Sequence, residues 1–412
     1  MHALTNVIAA SFWLFTSLAW TQTVSPLAPS EAQAQRAPIP LQVFIPTPPS
    51  AFRADMQWHL CYEIYLTNLS SSSWMVQHID VKNESGAPLL TLQGKELETV
   101  LSHPALPPDS KGGPAAEIAP GEAVIAYMWI DLVKGAPIPT RVQHKFSLKN
   151  SGDGKNYELD APMTVVSNKL PEIVPPLRGK DWVALAGPAN TATAARHRRS
   201  AQVFEGTPRI AQRYAIDWVR LGDNGQTYRG DREGKNRSYY SYGAEVLAVA
   251  NGVVVEVKDG IPENTPPADS KDGTPPAVSL AVEITMETVA GNHVNLDLGG
   301  GVYAMYAHLQ PGSIRVKLGD KVTPGQVIAL LGSSGNCGEP HLHFQLMDRN
   351  SPLNSEGLPY YFPGFKLAAR ISGDSEGQVT EAPAHLKVNR LPAPEAHHGD
   401  IPLENEVVDF EP

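Results

Sequence analysis

Leu60-Cys61-Tyr62-Glu63-Ile64-Tyr65-Leu66-Thr67-Asn68 sets Leu, Tyr, Ile and Leu against Cys, Glu, Tyr and Thr at alternate positions. A strand sends successive side chains to opposite faces, so a period of two reads as a strand with one buried face. Trp74-Met75-Val76-Gln77-His78-Ile79-Asp80-Val81, Ala123-Val124-Ile125-Ala126-Tyr127-Met128-Trp129-Ile130 and Val142-Gln143-His144-Lys145-Phe146-Ser147-Leu148 read the same way. Turn sequences such as Asn83-Glu84-Ser85-Gly86 divide them, and the chain carries 34 Gly and 37 Pro to make such turns. Short strands cut by Pro, Gly and Ser predict an all-β chain that opens with a β-sandwich over residues 36–170. His59, His78, His103 and His144 in this region stand in no ligand-like spacing and read as structural or surface groups.

A length of 412 residues admits two domains and a tail, and 42% hydrophobic with 18% charged residues marks a globular chain. The net charge of −10 argues against a nucleic-acid partner, which needs a concentrated basic surface. The short cluster Arg196-His197-Arg198-Arg199 does not supply one. Near the start, Val7-Ile8-Ala9-Ala10-Ser11-Phe12-Trp13-Leu14-Phe15 opens an apolar run that reads as an export signal, with a linker to residue 35. No Lys or Arg precedes the run, a departure from the usual signal, and if uncleaved the segment would serve as a membrane anchor. The expected location is therefore the periplasm or the extracellular cell envelope. Cys61 and Cys337 fall in different predicted domains, and their redox state stays open.

Residues 171–365 predict a second domain built on an antiparallel sheet. Ala215-Ile216-Asp217-Trp218-Val219 is a short apolar strand carrying one acid, and a carboxylate in such a run needs a partner. Glu245-Val246-Leu247-Ala248-Val249-Ala250 and Val253-Val254-Val255-Glu256-Val257 flank Asn251-Gly252, a hairpin turn signal. Residues 259–276 read as a long loop. Asn292-His293-Val294-Asn295-Leu296-Asp297-Leu298, Tyr303-Ala304-Met305-Tyr306-Ala307-His308-Leu309 and Val327-Ile328-Ala329-Leu330-Leu331-Gly332 continue the sheet. Residues 366–412 read as a polar carboxy-terminal tail in which His397-His398 is solvated.

The chemistry concentrates in Gly335-Asn336-Cys337-Gly338-Glu339-Pro340-His341-Leu342-His343-Phe344. On a strand His341 and His343 share one face, while Leu342 and Phe344 point to the other. Two such imidazoles can divide metal binding and proton handling between them, or be incidental on an exposed sheet face. Cys337 is near, but a fourth protein ligand would close a hydrolytic metal site.

With Ala215-Ile216-Asp217, Val249-Ala250-Asn251-Gly252-Val253-Val254, Tyr306-Ala307-His308-Leu309 and Gly319-Asp320-Lys321-Val322-Thr323-Pro324-Gly325-Gln326, this stretch resembles the lysostaphin-type (LytM-like) zinc endopeptidases, which cut peptide bonds in bacterial peptidoglycan. The resemblance covers roughly residues 211–344. It implies Asp217 and His343 as Zn2+ ligands, with His308 and His341 flanking the bound water. A site with three protein ligands and one open position suits water activation, and neutral imidazoles suit proton transfer. The family's first ligand is a His at the position occupied here by Arg213, whose guanidinium cannot bind a cation. His197, upstream in the basic cluster, is the candidate replacement if a hairpin returns it to the site; otherwise it is a surface residue. His293 is a weaker substitute. The function implied is an exported zinc endopeptidase acting on peptidoglycan peptides, with the amino-terminal domain free to bind an envelope protein partner. The alternative is a catalytically degenerate relative that regulates a cell-wall hydrolase. The Gly-Asp-x-Val-x-x-Gly-Gln run also resembles the turn of lipoyl and biotinyl carriers, but the corresponding hairpin Asn251-Gly252 has no acceptor Lys.

Overall fold

Strand Gln57–Asn68 pairs on one side with Leu41–Phe44 and Ser50–Ala54 and on the other with Ala123–Asp131, which also carries Leu101–Ser102. A second five-stranded sheet runs Asn156–Thr164, Arg141–Asn150, Trp74–Asn83 and Pro88–Gln93, with Glu117–Ile118 on Trp74–Asn83. The four alternating runs read from the sequence are four of these strands. This is a computed structural model, and it describes residues 38–104, 115–166, 169–190, 196–231, 233–268, 277–372 and 386–411. The expected export segment lies outside the described residues. Among the described residues no helix is long and apolar enough to cross a membrane.

Tyr62 and His144 join the two amino-terminal sheets. The Tyr62 hydroxyl donates to His144 Nε2 at 2.6 Å, and His144 Nδ1–H donates to the Ala161 carbonyl at 2.7 Å. One short helix, Gly94–Val100, was not legible in the sequence. It buries only Leu97 and Val100, too few positions to show a helical period.

Gln57–Asn68 departs from the half-buried strand expected of it. Its second face is covered as well: Cys61 is 3% and Glu63 1% exposed. What covers it is the later part of the chain. Tyr214 packs edge-on against Phe52 at 5.2 Å, and Ile210 joins Ile125 and Tyr127 in one apolar cluster. Residues 40–412 accordingly form one compact unit.

The later part is organised by a ten-stranded sheet whose pairings are antiparallel. Its order is Lys321–Val322, Gly252–Lys258, Asn292–Gly299, Val302–Leu309, Leu342–Met347, Ile216–Arg220, Gly179–Leu185, Glu406–Phe410, Phe365–Ile371 and Val388–His397. Tyr306, Phe344, Trp218 and Phe362 lie in the core beneath it, each fully buried.

Two expectations are corrected here. Residues 366–372 and 386–411 are not a tail: Phe365–Ile371, Val388–His397 and Glu406–Phe410 belong to the sheet. His397 is fully buried, stacked on Phe365 at 5.0 Å and bonded through Nδ1 to Asp400 at 3.0 Å. Pro392 and Pro394 disguised the strand Val388–His397, and an edge position tolerates them because part of its N–H row needs no ladder partner. Nor does Asn251-Gly252 close a hairpin. Glu245–Leu247 pairs with Val327–Leu330, while Gly252–Lys258 pairs with Asn292–Gly299 and Lys321–Val322. A two-residue turn of the type expected needs positive φ at both positions, and neither residue has it. Gly252 serves close packing instead, since a Cβ there would meet the Asp297 carbonyl at 3.0 Å.

Candidate metal centre

Strand Ile216–Arg220 turns Ile216 and Trp218 into the core, both fully buried, and so turns Asp217 to the opposite face. In the ladder Asp217 stands directly across from His343 on Leu342–Met347. Their side chains meet there, His343 Nδ1 to Asp217 Oδ1 at 2.8 Å. Leu342 and Phe344 alternate into the core, as expected. His341, just before the strand, puts Nε2 at 3.5 Å from Asp217 Oδ1 while its Nδ1–H donates to the Glu339 carbonyl at 2.8 Å.

His197 reaches the same carboxylate from a turn at residues 196–199. Its Nε2 is 3.3 Å from Asp217 Oδ2, and its Nδ1–H donates to the Ala215 carbonyl at 3.4 Å. One ligand atom each from His197, Asp217 and His343 thus lies within 4.8 Å of the others. Asp217 and His343 are buried, and the His197 side chain is 12% exposed. Two imidazole nitrogens and a carboxylate oxygen are donors of the kind zinc accepts, and three such donors leave a coordination position open. The residues present therefore fit the ion.

His308 arrives by a route the alternation rule misses. Simple alternation groups it with Ala304 and Tyr306, but both of those point into the core, and the Tyr306 hydroxyl accepts from Val249 N–H at 2.8 Å. Register with the neighbouring strand slips between Asn292↔Leu309 and Val294↔Tyr306, so Val302–Leu309 holds one extra residue there. At that bulge His308 takes a φ of 62°, left-handed for a non-glycine residue. A bulge re-aims a side chain. Here it sends His308 to the side of the sheet that carries His343 and Asp217, with ring centroids 4.7 Å from His341 and 5.9 Å from His343. Its Nδ1–H donates to the Ser334 carbonyl at 2.8 Å.

Electrostatics separates these groups. Burial pushes the Asp217 carboxyl up, but the electrostatic pull of the His197 and His341 rings and the hydrogen bonds from His197 and His343 outweigh it, holding Asp217 well below the usual range. Burial, reinforced by His341 and His343, drives His308 well down, and burial also lowers His341 against the pull of Asp217. For His343 burial acts downward too, yet its bond to Asp217 raises it on balance.

Gln345 was overlooked in the sequence. It follows His343 on the same strand face, a signal the period of two did carry. Its Oε1 takes the His343 Nε2–H at 2.8 Å, and its amide donates to the Pro352 carbonyl at 3.2 Å. That fixes which nitrogen His343 turns to Asp217.

Arg213 and His293 lie elsewhere, whereas Cys337 stands beside His341, its Sγ 3.4 Å from the ring Nδ1. Arg213 is 3% exposed and paired with Glu63 of the amino-terminal sheet and with Glu356. Its Nε–H donates to Glu356 at 3.0 Å. Burial pushes Glu63 up despite Arg213, whereas the two acids keep Arg213 charged against burial. His293 donates to the Gly291 carbonyl and meets Glu256, away from Asp217. The Cys337 thiol donates to the Glu339 carbonyl at 3.0 Å, and burial raises it.

Arg196, His197, Asp217, His308, Glu339 and His341 line one cleft. Residues 238–355 match the profile of Peptidase family M23. This chain carries a lysostaphin-type, M23-family peptidase domain. The match takes in His308, His341 and His343 and leaves His197 and Asp217 outside it. The chain is 37% identical over 95 residues to the peptidoglycan DD-endopeptidase ShyA of Vibrio cholerae, covering 23% of this chain and 20% of that one. It is 35% identical over 94 residues to the glycyl-glycine endopeptidase ALE-1 of Staphylococcus capitis, covering 22% and 25%. Among solved structures, the lysostaphin catalytic domain of Staphylococcus simulans aligns at 20% identity and a TM-score of 0.23, over 43% of this chain and 88% of that one. The chain thus spans a quarter or less of the length of these two curated relatives.

Proposed function

We propose that this chain is an exported zinc metalloendopeptidase that hydrolyses peptide bonds in peptidoglycan cross-links, with His197, Asp217 and His343 as metal ligands and His308 and His341 as the proton-handling pair. The observation that carries the reading is the convergence of His197, Asp217 and His343 within 4.8 Å, beside the imidazoles of His308 and His341. Bound there, a zinc ion would supply Lewis-acid chemistry that lowers the pKa of a water and polarises a carbonyl.

The chain's own residues would do the rest. His308 and His341 each spend Nδ1–H on a backbone carbonyl, so each offers an unprotonated Nε2. Burial keeps both neutral, the state a general base needs. A proton taken at Nε2 turns that ring into a donor, able to hold a developing oxyanion or to protonate the leaving amine. Asp217 stays ionised under its histidines, and Gln345 keeps Nδ1 of His343 turned inward. Peptidoglycan as substrate rests on the relatives named above.

Metal analysis and a peptidoglycan digestion assay on the purified chain test this. One zinc per chain and wall hydrolysis are expected, both lost in His343→Ala. Hydrolysis that survives this substitution, in protein free of zinc, refutes the proposal. Stoichiometric zinc without hydrolysis of any wall preparation favours a regulatory relative instead.

A further inference from the structure

Besides the carboxylate it approaches, the His197 ring has a long 3.4 Å bond to the Ala215 carbonyl and an edge-on contact with the His343 ring at 5.0 Å. Its neighbours are held far more firmly, largely by strand Ala123–Asp131 of the amino-terminal sheet. Arg198 is 1% exposed. Its guanidinium donates through Nη2 to the Tyr127 carbonyl at 2.6 Å and through Nη1 to the Ala189 carbonyl at 2.9 Å, and it lies over the Trp129 ring at 5.4 Å. Arg199 donates to the Thr99 carbonyl at 2.6 Å and lies over the Tyr127 ring at 5.0 Å, and the Tyr127 hydroxyl donates back to the Arg199 carbonyl at 3.3 Å. Tyr127 and Trp129 both belong to strand Ala123–Asp131. The chain re-docks on that sheet at Ile210, and again at Arg213, which pairs with Glu63.

The basic run Arg196-His197-Arg198-Arg199 is thus a clamp, with a histidine set between a cleft residue and two residues keyed to another sheet. A forked, always-charged guanidinium can serve two carbonyls and an aromatic face at once; a shorter or single-headed group cannot. We propose that Arg198 is a positioning residue for the metal centre, through which strand Ala123–Asp131 of the amino-terminal sheet holds His197 at Asp217. The sheet is then part of the centre's construction, and metal affinity depends on contacts outside the peptidase domain. The proposal rests on the zinc reading above.

The test is zinc affinity of the full chain by competition with a chromophoric chelator. Wild type, His197→Ala, Arg198→Gln and Arg199→Ala are compared, with folding followed by circular dichroism. Arg198→Gln is expected to weaken zinc roughly 10–100-fold, the range seen when a group supporting a metal ligand is removed. At saturating cobalt its absorption should match that of His197→Ala and not that of wild type, a signature that general destabilisation does not produce. Arg199→Ala keeps the buried guanidinium and should weaken zinc several-fold; it decides the matter if Arg198→Gln does not fold. A folded Arg198→Gln protein that binds zinc within about twofold of wild type, while His197→Ala loses it, overturns the positioning role. So does an unchanged Arg199→Ala where Arg198→Gln is unfolded. Wild-type zinc affinity in His197→Ala refutes the metal reading itself and the positioning role with it.

Discussion

Arg213→His places the family's residue type back at the position where the resemblance expects it, and on this structure the exchange fails twice. The guanidinium spans Glu63 and Glu356 in a dry setting, and no imidazole reproduces that fork. Removing one member of a buried ion pair costs about 3–5 kcal/mol, because the partner charge is left uncompensated. With an unfolding entropy of about 2 cal/mol/K per residue over a unit this size, that lowers Tm by roughly 4–6 °C. Nor does the new ring gain the metal, since the side chain at 213 runs toward Glu63 on the amino-terminal sheet, while His197 already stands at Asp217. The assay is thermal unfolding of the metal-free protein together with chelator competition for zinc, in Arg213→His and in Arg213→His combined with His197→Ala. The single variant should be destabilised and keep zinc affinity within about threefold; the double variant should bind zinc no better than His197→Ala alone. An undamaged Tm, or rescue of zinc binding in the double variant, would refute the placement of Arg213 outside the site.

Further outcomes follow from other residues. His308→Ala should reduce kcat by about 10²–10⁴-fold with zinc stoichiometry intact, checked by hydrolysis of a cross-link peptide and metal analysis. Gln345→Leu frees the His343 ring and should weaken zinc roughly 10–100-fold in the same competition assay. His144 is neutral in the fold, held down to about 4 by burial, against about 6.5 in the unfolded chain. The unfolded state therefore binds the extra proton first, so stability is complete above about pH 6.5 and falls as pH drops toward 4, by up to roughly 3 kcal/mol. Urea denaturation at several pH values should show that slope, and His144→Leu should flatten it.

Much of the architecture was legible because strands announce themselves by a period of two, and the runs at 60–68, 74–81, 123–130 and 142–148 all fall within observed strands. What alternation cannot carry is which partner covers a face. Cys61 and Glu63 read as a polar side, yet they are buried by residues more than a hundred positions away. At the site, the meeting of Asp217 with His343 is a ladder register, and register follows from which face is buried. The bulge at His308 and the docking of His197 through Arg198 depend on tertiary contacts, so no local window contains them. A basic tetrapeptide on its own looks solvated; the Tyr127 and Trp129 rings, with the Tyr127, Ala189 and Thr99 carbonyls, make it a clamp.

Strand Glu406–Phe410 lies between Gly179–Leu185 and Phe365–Ile371, and its pairing of Val407 with Val183 spans more than two hundred residues. On a ribosome adding about 5–20 residues per second, Gly179–Leu185 waits roughly 10–45 s for that neighbour. During this wait its outer edge offers unpaired N–H and C=O groups to any extended peptide nearby. Contacts so distant in sequence also slow closure of the sheet once the chain is free. The interval before Glu406–Phe410 arrives is thus a window in which a chaperone can hold this chain open, and in which unassisted copies can pair with one another.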